Sequence, residues 1–144
     1  MATFEMKDCI FCRIAGGQVK AERIYETENV ISFLDNNPKA VGHSLVIPKK
    51  HVPVLAELED ELVFAVAGAT KEVVKILKRT IHPDAFTIGI NDGKEAGQEI
   101  PHLHINIIPR FKGDKGKPVQ YLVNNQPTEG ISDIAQRIRE QLKN

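Results

Sequence analysis

The sequence is poor in cysteine, neutral in charge and free of long apolar runs. Its only two cysteines stand three apart, in Cys9-Ile10-Phe11-Cys12. Such a pair cannot staple a disulfide framework, which leaves a metal half-site, a redox pair or an incidental spacing. Lys+Arg is 19 and Asp+Glu is 19, so the formal net charge is zero. That balance removes the long-range field with which a basic protein captures nucleic acid, and a nucleic-acid partner is not expected. No apolar stretch approaches the ~20 residues that span a bilayer, so no membrane partner is expected either. The segment Met1 to Lys7 lacks the apolar core of a secretory signal. The expected setting is the cytoplasm. No repeat and no low-complexity run divides the chain.

What remains is an ordinary globular composition. The chain has 144 residues, 42% apolar and 26% charged, the size and make-up of one domain with a real core. Residues 10–15 read as a short helix stopped by Gly16-Gly17, a pair suited to a left-handed C-cap. Ile24 and Tyr25 lie in a short extended run. Val30 to Leu34 and Ser44 to Ile47 read as strands, separated by the turn residues Asp35-Asn36-Asn37-Pro38 and closed by Pro48. From Leu58 to about Lys78 apolar residues recur at helical spacing: Leu62, Ala65, Val66, Ala69, Val73, Ile76 and Leu77. Ala85 to Ile90 and Leu103 to Ile108 read as strands, the second ended by Pro109. A Gly/Lys-rich link at 112–118 leads to an amphipathic helix carrying Ile131, Ile134, Ala135, Ile138 and Leu142. Strands in adjacent hairpin-like runs, flanked by helices, predict an α+β fold with a mainly antiparallel sheet.

The segment richest in chemistry is Pro101-His102-Leu103-His104-Ile105-Asn106-Ile107. In a strand, alternate side chains share a face. His102, His104 and Asn106 are then expected on one face, with Leu103, Ile105 and Ile107 on a buried one. Two imidazoles and a carboxamide in a row add nothing to core packing, and each needs a partner if buried. From spacing alone three readings stand: exposed histidines on a half-solvated sheet, a chemically active face, or a metal pair.

The run from Pro101 to Arg110 resembles the signature of the histidine triad (HIT) superfamily, in which His alternates with apolar residues. Further segments match in order: Cys9 to Ile14, Phe33-Leu34-Asp35, Gly42 to His51, Asn91 to Gln98, and Pro109-Arg110-Phe111. Residues 1–144 then form a single HIT domain with a core at about 8–112. Residues 113–144 are an extension with a helix at 131–142, which the resemblance does not explain. The resemblance implies a five-stranded antiparallel sheet with a long helix and short terminal helices, paired as a homodimer. It implies a hydrolase or transferase acting on the α-phosphate of a purine nucleotide phosphoramidate or dinucleoside polyphosphate. His104 matches the nucleophile, and His102 and Asn106 are its companions in the catalytic set. Neutral imidazole suits that role, because its pKa lies near ambient pH and the nucleotidyl-imidazole splits one hard displacement into two easier ones.

By the same resemblance Asp35 holds ribose hydroxyls, for which a carboxylate is a good acceptor; without it, Asp35 reads equally as an Asx-turn. Phe33, Ile14 and Ile31 are candidates for an apolar base slot. Asn91 and Gln98, with backbone N–H groups near Glu99 and Ile100, are candidate donors to phosphoryl oxygens. The resemblance also joins His51 and His102 to Cys9 and Cys12 as a set suited to a structural tetrahedral zinc, preferred over a redox disulfide because no thioredoxin-like βαβ pattern surrounds the cysteines. His43 reads as structural and His82 as surface loop. Lys49, Lys50, Lys112, Lys115 and Lys117 read as a solvated face rather than a nucleic-acid rim. The sequence departs from the family pattern at one point. The third triad position holds Asn106, which donates hydrogen bonds but cannot hand over a proton. That keeps two alternatives open: a nucleotidyltransferase, or a nucleotide-binding module of weak activity.

Overall fold

The structure, a computed structural model, describes residues 8–143. The elements in chain order are α1 (Ile10–Ala15), β1 (Arg23–Glu26), β2 (Val30–Leu34), β3 (Ser44–Pro48), α2 (Asp60–Thr80), β4 (Ala85–Gly89), β5 (Ile105–Arg110) and α3 (Ile131–Gln141). Three single turns of 3-10 helix, at Leu55–Glu57, Lys94–Ala96 and Val119–Tyr121, punctuate the loops. The strands form one sheet of order β1-β2-β3-β5-β4 in which every neighbouring pair is antiparallel. The expected α+β fold is the one observed.

Each element follows from local chemistry. Helix α1 ends in a left-handed glycine: Gly17 has φ +82°, Gln18 N–H bonds the Arg13 carbonyl and Gly17 N–H that of Ile14. This is the paired pattern that satisfies the last carbonyls of a helix. Helix α2 runs for 21 residues with Asp60 and Glu61 in its first turn and Lys78 and Arg79 in its last, the charge order that suits the helix dipole. Its buried stripe, Val66, Ala69, Val73 and Leu77, lies against Val30, Val46, Leu103 and Ile107 of the sheet side. A second cluster covers the opposite face, where α1 brings Cys9, Phe11, Cys12 and Ile14 onto Ile31, Phe33, Leu45 and Ile47. Strands β2 and β3 are therefore buried on both faces, which is why they read as continuous apolar runs rather than alternating ones.

Gly42, which enters β3, is fixed twice over. Its φ is +86°, and an added Cβ would stand 3.3 Å from the side chains of Ile81 and Pro109.

One expectation is corrected. Strand β5 starts at Ile105, two residues later than predicted, and runs through Pro109. Its start is late because His102 and Leu103 bond elsewhere: Leu103 N–H donates to the Val52 carbonyl at 2.7 Å and His102 N–H to that of Ile100 at 2.8 Å. Pro109 is tolerated because β3 pairs β5 only as far as Ile107, so no ladder partner waits for the missing N–H on that side. The amphipathic helix expected at 131–142 is present as α3, and its apolar residues Ile131, Ile138 and Leu142 are exposed. Among the described residues no helix is long and apolar enough to cross a membrane.

Candidate functional site

On the α1 side of the sheet a cleft of roughly 750 Å³ opens between α1, the ends of β2 and β3, and the loop from Ile90 to Ile100. Its apolar lining includes Ile10, Phe11, Ile14, Phe33 and Leu45. Its polar lining includes Asp35, His43, Asn91, Glu99, His104 and Asn106. Backbone register explains the polar group. Asn106 on β5 faces Leu45 of β3 and Gly89 of β4, so it sits mid-sheet with open space above the glycine.

His104 stands just ahead of β5. Its Nδ1–H donates to the carbonyl of His102 at 2.8 Å. This bond puts the proton on Nδ1 and leaves Nε2 with a free lone pair, the form a nucleophile or metal ligand requires. The ring is held edge-on by Phe11, 5.1 Å between centroids.

His102 takes a different path. It is wholly buried, and its Nε2–H donates to the Pro48 carbonyl at 2.8 Å. Nδ1 then points, unprotonated, at the cysteine pair: 3.4 Å from Cys9 Sγ and 3.5 Å from Cys12 Sγ. His51 Nδ1 lies 3.3 Å from Cys12 Sγ. Ligand atoms of all four residues fall within 4.8 Å of one another. A tetrahedron with Zn–S near 2.3 Å and Zn–N near 2.0 Å has S···N edges of about 3.5 Å, so these separations suit one shared cation. Cys9 is the N-cap of α1, and Cys12 follows one turn later, which aims both sulfurs the same way. Both cysteines are free thiols.

Electrostatics agree with the donor set. Burial first, then the Cys9 thiol, pushes Cys12 up to about 12. Burial pulls His102 down to about 4, so it stays neutral and able to ligate. Without a cation the thiol keeps its proton; a dication in the site would displace it. The carbonyl bond on His102 Nε2–H is the outer contact that orients a ligating imidazole.

The remaining predicted residues fall as follows. Asp35 lines the cleft and is also an Asx-turn: Oδ1 accepts from Asn37 N–H at 2.8 Å while Oδ2 lies 3.6 Å from His43 Nε2. Asn91, Glu99, Ile100, Phe33 and Ile14 line the cleft. Ile31 does not, being sealed in the core. Gln98 also stays out of it. Its amide is fully engaged with backbone: Nε2 donates to the carbonyls of Pro53 and Ile100, and Oε1 accepts from Gly93 N–H. Gln98 thus braces the loop that carries Asn91 and Ile100 rather than presenting donors of its own. His82 is exposed in a turn. No basic rim forms from Lys49 and Lys50, which pair with Glu26 and Glu59.

Phe11 and His43 line the cleft although the sequence reading gave Phe11 no role in the site and His43 only a structural one. Phe11 sits between the two cysteines and touches Phe33, His102 and His104; its signal was its place on the first turn of a helix whose flanking residues were already singled out. His43, 4% exposed, bonds Asn106.

The comparisons with known proteins come from three directions. The HIT domain profile matches residues 16–113. An uncharacterised HIT-like protein of Methanocaldococcus jannaschii is 42% identical over 113 residues, covering 78% of this chain and 86% of that one. An adenylylsulfatase of Arabidopsis thaliana is 38% identical over 107 residues, 74% of this chain and 54% of that protein. Among solved structures, a zinc-bound histidine triad family protein from Mycobacterium smegmatis superimposes with a TM-score of 0.72 at 36% identity, covering 86% of each chain.

Proposed function

This chain belongs to the HIT domain family, and on that premise we propose that it is a nucleotide hydrolase working through His104. Its substrate is a purine nucleotide phosphoramidate or a dinucleoside polyphosphate. His104 Nε2 attacks the α-phosphorus, the P–N or P–O bond to the leaving group breaks, and the nucleotidyl group is carried on the ring. Water then attacks the same phosphorus, releases the mononucleotide and returns the electron pair to Nε2. One observation carries the reading: the His104 Nδ1–H is tied to the His102 carbonyl while the ring lines an open cleft. The similarity to an adenylylsulfatase, an enzyme named for cleavage at an adenylyl group, supports the reaction class.

The cleft offers each part of such a substrate a matching wall. The apolar lining, with Phe11, Ile14 and Phe33, suits a purine face. Asp35 Oδ2 suits a pair of ribose hydroxyls. Asn91, Asn106 and the backbone around Glu99 and Ile100 suit phosphoryl oxygens. Cys9, Cys12, His51 and His102 would hold a structural zinc, whose contribution is to fix α1 and the strand entry that carries His104. A homodimer and a cytoplasmic setting complete the proposal.

A second reading is favoured by Asn106. A carboxamide cannot protonate an amine leaving group, so a nucleotidyltransferase, or a binding module of weak turnover, fits the same cleft. The test is incubation with adenosine phosphoramidate, an alkaline quench and peptide mass analysis. The hydrolase reading expects adenylylated His104 at early times, free AMP later, and neither in His104→Ala. Turnover in that variant would end the mechanism. A burst that persists until a phosphate acceptor is added would select transfer.

A further inference from the structure

We propose that His43 is a positioning residue that turns the Asn106 carboxamide so that its NH2 end faces the cleft. The proposal deepens the function proposed above, since it assumes that the cleft holds a nucleotide.

The argument is one of proton counting. The Lys39 backbone N–H can only donate, and it bonds His43 Nδ1 at 3.1 Å. His43 Nδ1 is therefore an acceptor, and the ring proton resides on Nε2. Nε2 lies 2.9 Å from Asn106 Oδ1 and donates to it. Flipping the amide would bring Nδ2–H against Nε2–H, donor against donor. The carboxamide thus has one permitted orientation, in which its oxygen is occupied and its two N–H bonds are free. Among the described residues no protein acceptor takes those hydrogens, and Asn106 lines the cleft beside His104. The buried ring of His43 is itself fixed by the Lys39 N–H of the turn that precedes β3. Asn106 consequently presents donors only, aimed where charge develops on a phosphoryl or leaving-group oxygen. This orientation would also reject a ligand that offers a donor at that point.

Single-turnover cleavage of adenosine phosphoramidate tests this in a double-mutant cycle. His43→Leu is expected to slow the step about tenfold or more. His43→Leu combined with Asn106→Ala is expected to be no slower than Asn106→Ala alone, because orientation matters only while the amide is present. His43→Gln, which keeps an N–H near the Nε2 position, is expected to retain most of the rate. Losses that multiply in the double variant, or equal losses for the Leu and Gln variants, would overturn the proposal. If His43→Leu fails to fold, His43→Ala serves in the same cycle. A second readout needs no substrate. The Asn106 side-chain amide resonances, assigned by their loss in Asn106→Ala, should move in the variant lacking the ring N–H and return toward native in His43→Gln; unmoved resonances overturn the pairing. Moving resonances in a protein that cleaves nothing would refute the proposed function and leave the pairing intact. Cleavage with multiplying losses would do the reverse.

Discussion

Zinc added to metal-free protein is expected to raise its melting temperature by about 5–11 °C. The four ligand atoms already stand within 4.8 Å of one another, with S···N separations of 3.3 to 3.5 Å, so binding requires little rearrangement. A ligand that binds only the folded state stabilises it by about 2.7 kcal/mol at a free concentration 100-fold above Kd. For a chain near 150 residues each kcal/mol moves Tm by roughly 2–4 °C, which yields the range above. The assay is thermal unfolding after chelation, with zinc returned in steps, beside metal content by mass spectrometry. Cys12→Ser is the informative variant, because it removes the sulfur that stands near both His51 and His102. It should lose the zinc response, whereas a change at exposed His82 should keep it. A flat melting curve across the zinc titration, or an equal response in Cys12→Ser, would refute the inference that these four residues share one ion.

Three further outcomes test the architecture around the site. Ser32 Oγ is fully buried and has no hydrogen-bond partner among the described residues, so Ser32→Ala should raise stability by about 1 kcal/mol in urea unfolding, and a loss would reveal a hidden partner. Gln98→Ala removes three backbone bonds at once; it should cost about 1–3 kcal/mol and speed hydrogen exchange at Gly93, and unchanged exchange would contradict the bracing role. The Arg110 guanidinium, helped by the N–H groups of Gly116 and Phe111, holds the Asp114 carboxyl well below its ordinary 3.8. A carboxyl depressed in the folded state contributes stability above its ordinary value and loses it as pH falls through the lower folded one. Amide protection at Phe111 and Gly116 should therefore persist at pH 7, fall below about pH 4, and be weak at neutral pH in Asp114→Asn; pH-independent protection would count against it.

How much of this was legible in advance differs by residue. The α2 stripe was readable because helical spacing is a local property that any window of the chain reveals. Cys9 and Cys12 were readable for the same reason, as was the glycine stop of α1. The start of β5 was not. Whether His102 and Leu103 join the ladder depends on carbonyls of Ile100, Val52 and Pro48, two of which lie about fifty residues away in the chain. Gln98 was a candidate donor to substrate only through the family resemblance; three backbone groups take its hydrogen-bonding capacity. Ile31 and Phe33 stand two apart in the same strand and pack in the same apolar cluster, yet only Phe33 reaches the cleft.

The order of residues alone indicated most of the helices and strands and a mainly antiparallel sheet, and it drew attention to the His102-His104-Asn106 run and to the Cys9/Cys12 pair. It did so because periodicity, turn residues and side-chain type act over a few positions. Tertiary structure alone decided where each proton and lone pair points. His102 turns into the cysteine pair while His104 faces the cleft, and His43 dictates how Asn106 is presented. Those outcomes hang on hydrogen bonds between residues as many as 93 positions apart, and the directional need of each donor for one acceptor is met only once the chain has folded.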